Sequence, residues 1–347
     1  MVVPGSIPKM MRSVLVLNFC IIVVMQSSKN ISFILKLFII LLALWFMYEK
    51  VFANESLIEM KEWFLTTLKE QSPTPLFLVL ILMFVNWGLD AVKWRYLIQK
   101  LEKVSLWLSI KAVFLGITVS IFTPNRIGEF GGRVFCLDKA DRIKAVLVTV
   151  LGNLGQLLAT TVFGTLALVH YIHEYSGFLD GEADYWFFVL VFIAAILITS
   201  LIALYLNSSM LSDFFLKFKI LKKYEEYSDV FSYYSMRELF NVFLLSVARY
   251  FVFTFQFYLL IRFFQVEITF LQSATMSAMT FLTMSIIPTI ALTEIGVRGS
   301  VAISFFGLLS ANHLGILTAA FSLWVINLVL PALLGTVLVY NLKFFRS

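Results

Sequence analysis

Pro124-Asn125-Arg126-Ile127-Gly128-Glu129-Phe130-Gly131-Gly132-Arg133 closes the apolar run Leu106–Phe122. It sets two arginines, a carboxylate and three glycines directly behind sequence that otherwise reads as membrane-embedded. Broken backbone and charge are costly in hydrocarbon, and they persist only where protein or a watery cavity satisfies their polar groups. A related stretch, Pro288-Thr289-Ile290-Ala291-Leu292-Thr293-Glu294-Ile295-Gly296-Val297-Arg298-Gly299, closes a second apolar run, Phe270–Ile287. The way the chain turns at these two places decides its topology.

The surroundings are those of a bilayer protein. Of 347 residues, 60% are hydrophobic and only 14% charged, and the mean hydropathy is +0.91. Soluble globular domains do not reach such values. Apolar windows long enough to span run Ile31–Phe52, Pro75–Ile98, Ala145–Ile172, Tyr185–Leu206, Leu239–Phe264 and Leu314–Tyr340. The segment Asn207–Glu238 between two of them is smaller than an independently folding domain. Residues 1–30 read as a leader, interfacial or disordered, whose apolar part Val14–Met25 is too short to cross. Met1, Met10, Met11 and Met25 are all admissible starts. Residues 31–347 then form one integral membrane domain, with 207–238 a cytoplasmic interfacial segment.

Charge in the connections chooses between topologies. Basic residues gather at Lys93, Arg95, Lys100 and Lys103, at Arg126, Arg133, Lys139, Arg142 and Lys144, and at Lys217, Lys219, Lys222 and Lys223. In contrast, Tyr171–Asp184 holds Glu174, Asp180, Glu182 and Asp184 with no Lys or Arg, and Glu49–Thr74 holds five glutamates against three lysines. If each motif-bearing run dips in and returns, every basic cluster falls on the cytoplasmic side and both acidic loops fall outside, as the positive-inside rule requires. A single crossing at each motif reverses part of that pattern. The expected fold is therefore all-α, a polytopic helical membrane protein of about six full spans plus two re-entrant or paired short-helix elements. Three crossings separate the two elements, so they enter from opposite faces as an inverted repeat, an arrangement typical of transporters. The N- and C-termini are expected on the cytoplasmic side, in the bacterial cytoplasmic membrane.

The charged side chains suit anionic headgroups, because arginine forms bidentate, charge-assisted bonds to phosphate and stays charged when buried. Arg126, Arg133 and Arg298 are the first candidates, with Arg249, set ten residues into its span beside Tyr250, as a further one. Glu129 and Glu294 complete the candidate substrate-binding set. They are open to two readings: as ion-pair partners, Arg126–Glu129 within a helical turn and Glu294–Arg298 likewise, or as proton carriers. Arg249 is open to pairing with Glu129 or Glu294. Pro124, Gly128, Gly131, Gly132, Pro288, Gly296 and Gly299 are the expected turn or close-approach positions. Asp90, one turn before Lys93, reads as a snorkelling ion pair. Asn153, Gln156 and Asn327 read as interhelical hydrogen-bond glue. The run Leu211–Tyr224, with Phe214, Phe215, Phe218 and Leu221 among lysines, reads as a helix lying on anionic lipid.

Cys20 and Cys136 form no metal or disulfide pattern, and His170-x-x-His173 before Glu174 alone is a weak ligand signal. No metal and no cofactor are expected, and nothing points to nucleic acid.

Thr123-Pro124-Asn125-Arg126-Ile127-Gly128-Glu129, then Arg133, the basic stretch to Lys144 and a span with Gly152, Gln156 and Gly164, resemble the signature of the lysylphosphatidylglycerol synthase transmembrane region, or flippase-like, family. Pro288 with Gly296-Val297-Arg298 is similar to its second signature, although here the carboxylate Glu294 precedes the glycine instead of following the Gly-Val pair. The resemblance covers the chain from about Ile31 onward. It implies an integral membrane domain that moves lipids, without the aminoacyltransferase to which some relatives are fused.

The function expected is a flippase-like lipid translocase, not an enzyme, holding an anionic or phosphate-bearing headgroup in a central polar cavity. Its partner is then a membrane lipid of phospholipid or polyprenyl-phosphate type, with homo-oligomers allowed. The alternatives are an intramembrane transferase on a lipid-linked substrate, or a non-transporting subunit of an envelope complex. Cysteines replacing Asp141 and Glu182 in a cysteine-free background are expected to react with impermeant maleimide from opposite sides of the membrane; reaction from one side refutes the topology.

Overall fold

The computed structural model describes residues 55–121, 123, 126–175, 183–207, 210, 213, 222–287 and 291–339. The expected leader, the span Ile31–Phe52, most of Leu211–Tyr224, and the turn residues Pro124 and Pro288 lie outside these described residues. Among them there is no strand, and the chain is all-α. In order the helices are α1 (Glu55–Glu70), α2 (Thr74–Ile98), α3 (Leu106–Ser120), α4 (Gly128–Val134), α5 (Arg142–Tyr175) and α6 (Ala183–Leu206). A 3-10 segment (Lys222–Tyr233) leads to α7 (Met236–Phe263), followed by α8 (Phe270–Ile286), α9 (Ala291–Phe306), α10 (His313–Trp324) and α11 (Leu330–Val339). A π turn, Val325–Val329, joins α10 to α11 as one rod. It falls just before Pro331, which has no N–H to offer the carbonyl four residues back, so the ladder must adjust there.

Five of these elements are long and apolar enough to cross a membrane: α2, α5, α6, α7 and the α10–α11 rod. They are built inside out. On α2 the face Phe77, Ile81, Phe84, Val85 and Val92 is exposed, whereas Asn86, Asp90 and Lys93 are buried with Val79, Met83 and Trp94. Helical spacing thus turns the apolar stripe outward to lipid and the polar one inward. Phe188, Phe192, Ile193 and Ile196 similarly leave α6 almost wholly exposed, at the rim of the bundle. One helix was not anticipated: α1, inside the acidic connection Glu49–Thr74, buries Met60 and Thr67 and lays Phe64 against Phe264 at a ring separation of 5.9 Å.

Ion pairs and hydrogen bonds show which ends of the helices lie together. Lys100 after α2 pairs with Glu238 of α7 at 2.6 Å, Lys144 of α5 with Asp229 of the 3-10 segment at 3.0 Å, and the Tyr234 hydroxyl donates to the Leu97 carbonyl at 2.7 Å. These contacts define a basic end. At the far end Gln256 of α7 donates to the Val79 carbonyl of α2 at 2.9 Å, so α2 and α7 are antiparallel.

Helices α3 and α4 form a hairpin that starts and finishes at the basic end. Ser105 caps α3, and the Glu102 carboxylate beside it accepts the N–H groups of Asp138 (3.2 Å), Lys139 (2.7 Å) and Ala140 (2.8 Å), just past α4. Partial burial of Glu102 acts to raise its pKa, but these three N–H donors outweigh it and hold the carboxyl below its ordinary value. Helices α8 and α9 form the matching hairpin at the far end. Thr269 and Gln272 make a capping box at its start, and the Asn312 amide beyond its finish donates to the carbonyls of Phe264 (3.1 Å) and Gln265 (3.2 Å). Each hairpin is therefore clasped at its base, and the two enter from opposite ends. The re-entrant pair in inverted orientation is present as expected.

Glycine makes the first hairpin possible. A Cβ on Gly132 would lie 2.7 Å from the Cα of Gly116, and one on Gly116 would lie 3.0 Å from the Glu129 carbonyl oxygen, so α3 and α4 touch backbone to backbone. Gly131 and Gly296 have open space where a Cβ would go, so neither supplies a close approach. Gly132→Val is expected to lower stability by about 1–3 kcal/mol through overpacking against a backbone that cannot yield. Gly131→Ala is expected to be neutral or to stabilise by up to about 1 kcal/mol. Thermal melts of the two variants in detergent check the contrast.

Candidate functional site

Both motifs end up inside helices, each with a carboxylate in the first turn and an arginine four residues on. In α4 the pair is Glu129–Arg133 and in α9 it is Glu294–Arg298. Aligned on these helices, both read Glu-x-Gly-x-Arg. The common pattern was hidden in the chain because the spacing from the preceding proline differs by one residue, and the hairpins bring it out. A glutamate in the first turn is favoured by the helix dipole, and an arginine at i+4 lies above it on the same face.

The hairpins meet tip to tip. Arg126, just before α4, donates from Nη2 to Oε1 of Glu294 at 2.6 Å, and Arg298 donates to the same oxygen at 2.9 Å. Arg126 reaches this position with a φ of 57°, one of two non-glycine residues in the left-handed region among the described residues. Such backbone costs roughly 1–2 kcal/mol for an L residue, and the ion pair helps to offset it. The expected pairing of Arg126 with Glu129 is not formed: the turn carries Arg126 across to the opposite hairpin, and Glu129 is held by Arg133 instead.

Behind the tips lies a second cluster that sequence reasoning missed. Asp90 has no exposed surface, and its carboxylate receives Lys93 at 3.0 Å, Arg133 at 2.5 Å and Arg249 at 2.9 Å. Lys93 is itself buried, so this is no snorkelling pair. Nor does Arg249 pair with Glu129 or Glu294. Its Nε donates to the Asn86 side chain at 2.9 Å, its Nη1 to Asp90, and its guanidinium lies 4.6 Å from the centre of the Trp87 ring. The available signal was the shared helical face of Asn86, Asp90 and Lys93; the adjacency of Asp90 to Lys93 gave a sufficient local explanation and concealed it.

Between the tips, α2, α5, α7 and the π turn is a cavity of about 530 Å³. Of the six expected site residues, Arg126, Arg249, Glu294 and Arg298 line it, whereas Arg133 and Glu129 stand behind, Arg133 only 1% exposed. Gln156, expected to join helices, lines the cavity with its Oε1 unpartnered among the described residues. Asn327 does join helices, accepting from Asn86 at 3.2 Å, and it also lines the cavity from the π turn. The indole Nε1 groups of Trp87 and Trp324 and the Nε of Arg298 have no hydrogen-bond partner among the described residues. Cys136 is buried away from this space, and His173 and Glu174 are exposed at the far end.

Across the two clusters, Lys93, Arg126, Arg133, Arg249 and Arg298 face Asp90, Glu129 and Glu294, which leaves two positive charges uncompensated. Buried charge of one sign is expensive. The described lining itself carries Arg126, Arg249 and Arg298 against the one carboxylate Glu294.

An all-α chain with five helices long and apolar enough to cross a membrane, and two opposed hairpins closing on a polar cavity, is an α-helical integral membrane protein. The chain belongs to the family described as the lysylphosphatidylglycerol synthase TM region, whose profile matches residues 33–335, and it is thereby a membrane protein of lipid metabolism or transport. No curated protein and no solved structure matches it.

The tip contact can be tested by charge exchange. Arg126→Glu and Glu294→Arg alone are each expected to lower thermal stability, by between the ~1 kcal/mol of an exposed pair and the ~3 kcal/mol of a buried one. The double exchange recovers part of the loss if the tips meet. Strictly additive losses in the double-mutant cycle would refute the contact.

Proposed function

We propose that the protein is a lipid translocase in which a phosphate-bearing headgroup enters the central cavity while its acyl or prenyl tails stay in the bilayer. The observation that carries this is the lining itself: Arg126, Arg249 and Arg298 against the single carboxylate Glu294, at the place where two opposed hairpins meet. Arg249 is held by Asp90, Asn86 and Trp87, so it is a fixed positive charge. Arg126 and Arg298 share one carboxylate oxygen, so a phosphate can take either from Glu294 without leaving a bare charge behind. In that exchange the headgroup replaces the tie between the tips, and the hairpins are free to part on one side or the other. The basic end then faces the cytoplasm by the positive-inside rule, with the protein in the bacterial inner membrane.

A transferase has less support. The described lining holds neither Cys nor His, and its one carboxylate is engaged by two arginines.

Purified protein in liposomes tests the reading with acyl-labelled anionic phospholipid and dithionite quenching. The protected inner-leaflet pool is expected to become accessible with wild-type protein. Each charge-assisted bond lost is worth about 1.5–3 kcal/mol, so Arg126→Ala and Arg298→Ala are expected to slow the exchange by about tenfold or more. Covalent conversion of the lipid, seen by mass spectrometry and lost in Glu294→Gln, would establish the transferase instead.

A further inference from the structure

The two hairpins share one tie at their tips but are not seated alike. Directional contacts bind the first into the bundle. The Thr118 hydroxyl of α3 donates to the Ala332 carbonyl of α11 at 2.9 Å, and Arg133 of α4 reaches the buried Asp90 of α2 at 2.5 Å. Gly335 of α11 lies so close to the Phe114 carbonyl and the Thr118 hydroxyl that a Cβ there would collide with both. Ser109 and Ser120, buried on the same helix, also donate to carbonyls.

The second hairpin rests on side chains. A Cβ on Gly164 of α5 would meet Leu282 of α8 at 2.6 Å, and one on Gly299 of α9 would meet Leu317 of α10 at 2.5 Å. Against α7 the contact is ring on ring, with Phe281 5.0 Å from Phe253 and 6.0 Å from Phe257 between centroids. Ser273 and Ser277 of α8 have no exposed surface and no hydrogen-bond partner among the described residues. The described side-chain hydrogen bonds and ion pairs of α8 and α9 stay within the hairpin, apart from the tie of Glu294 to Arg126.

In a bilayer this difference decides which hairpin can move. Lipid tails are as apolar as leucine, so a helix held by apolar side chains loses only packing when it leaves its neighbour. Withdrawing the first hairpin would instead strand Arg133 and Asp90 in a low-dielectric interior. The second also forms more of the cavity. Met284, Ser285, Ile286 and Ile287 at the end of α8 line it with Glu294 and Arg298, whereas the described part of the first hairpin lends only Arg126. Ile286 lines the cavity and is 73% exposed, so the wall there is one side chain thick.

We infer that the second hairpin is the moving gate of the cavity and the first is part of its fixed wall. The base stays held by Asn312 on the Phe264 and Gln265 carbonyls, and the hairpin pivots there. The end of α8 then leaves α5 and opens the cavity sideways to the bilayer, beside Gln156 and Thr160. The Arg126–Glu294 pair is the latch, and an anion that takes Arg126 releases it. For what passes the gate, the inference rests on the translocase reading.

Pulsed electron–electron resonance in nanodiscs tests it, with Cys20→Ala and Cys136→Ala as background. Spin labels on Ile286→Cys and Leu157→Cys report the second hairpin against α5, and labels on Ile127→Cys and Leu334→Cys report the first against α11. All four positions are exposed, so the labels displace no core side chain. Phosphatidylglycerol in place of phosphatidylcholine, or Glu294→Gln in either lipid, is expected to add a component to the 286–157 distribution. That component is longer by about 5 Å, the scale of one helical turn. The 127–334 distribution is expected to stay single. A shift at 127–334, with or without one at 286–157, overturns the assignment, as does no shift at either pair. The lipid arm needs no substitution at the latch, so a Glu294→Gln protein that fails to fold leaves the test intact. Opening in Glu294→Gln with no lipid movement in liposomes would sink translocation and leave the gate standing. Lipid movement accompanied by a shift of the first hairpin would do the reverse.

Discussion

Asp90 draws three cations from three parts of the chain to one carboxylate with no exposed surface: Lys93 on its own helix, Arg133 from the first hairpin and Arg249 from α7. In a bilayer this arrangement is a constraint as much as a contact. A buried guanidinium is costly to leave unpaired, and the exposed face of α2, with Phe77, Ile81, Phe84, Val85 and Val92, offers it no partner. Without the carboxylate, three positive charges would share a low-dielectric space, and the hairpin, α2 and α7 would have no common anchor. The pairing therefore sets where α4 lies against α2 and where Arg249 points, and through Arg249 it shapes one wall of the cavity.

The rest of the architecture follows from a hairpin that cannot cross. Helix α3 has 15 residues and α4 only 7, too few to span, so the chain returns to the end from which it came. The close approach of Gly116 and Gly132 lets it return tightly, and the Glu102 carboxylate closes the base by collecting three N–H groups that would otherwise go unpaired. The second hairpin repeats the device from the far end, with Asn312 collecting carbonyls in place of amides. Two clasped hairpins pointing at one another leave their tips, and thus their least satisfied backbone and side chains, in the middle of the bundle. The cavity is what remains between them, and the π turn before Pro331 brings Asn327 into its wall.

Much of this was legible in the residues. Apolar windows marked the described spans, and the asymmetry between the basic clusters and the acidic Tyr171–Asp184 loop required an even number of passes at each motif. That argument is global, resting on many charges, and so it survives local error. Partner choice is not global. Arg126 has Glu129 three residues away, and Lys93 has Asp90 three residues away; in both cases sequence neighbours looked sufficient, but Arg126 pairs with the distant Glu294 instead, and Asp90 adds the distant Arg133 and Arg249 to Lys93. Gln156 likewise read as a helix-joining residue, because no rule of spacing separates a polar side chain that meets a neighbour from one that faces a space.

By itself the sequence determined the membrane environment, the apolar stretches that become the long spanning helices among the described residues, and the two places where short helices meet charge. Periodicity and hydropathy are carried by consecutive residues, and the bilayer enforces them one helix at a time. Only the tertiary structure decided which charges meet, which of them face the cavity and which donors are left over. Those outcomes depend on how the tips of two hairpins, 168 positions apart at Arg126 and Glu294, come to rest against each other. A contact over that separation is settled by packing and by the cost of buried charge, and neither is written in any one stretch of the chain.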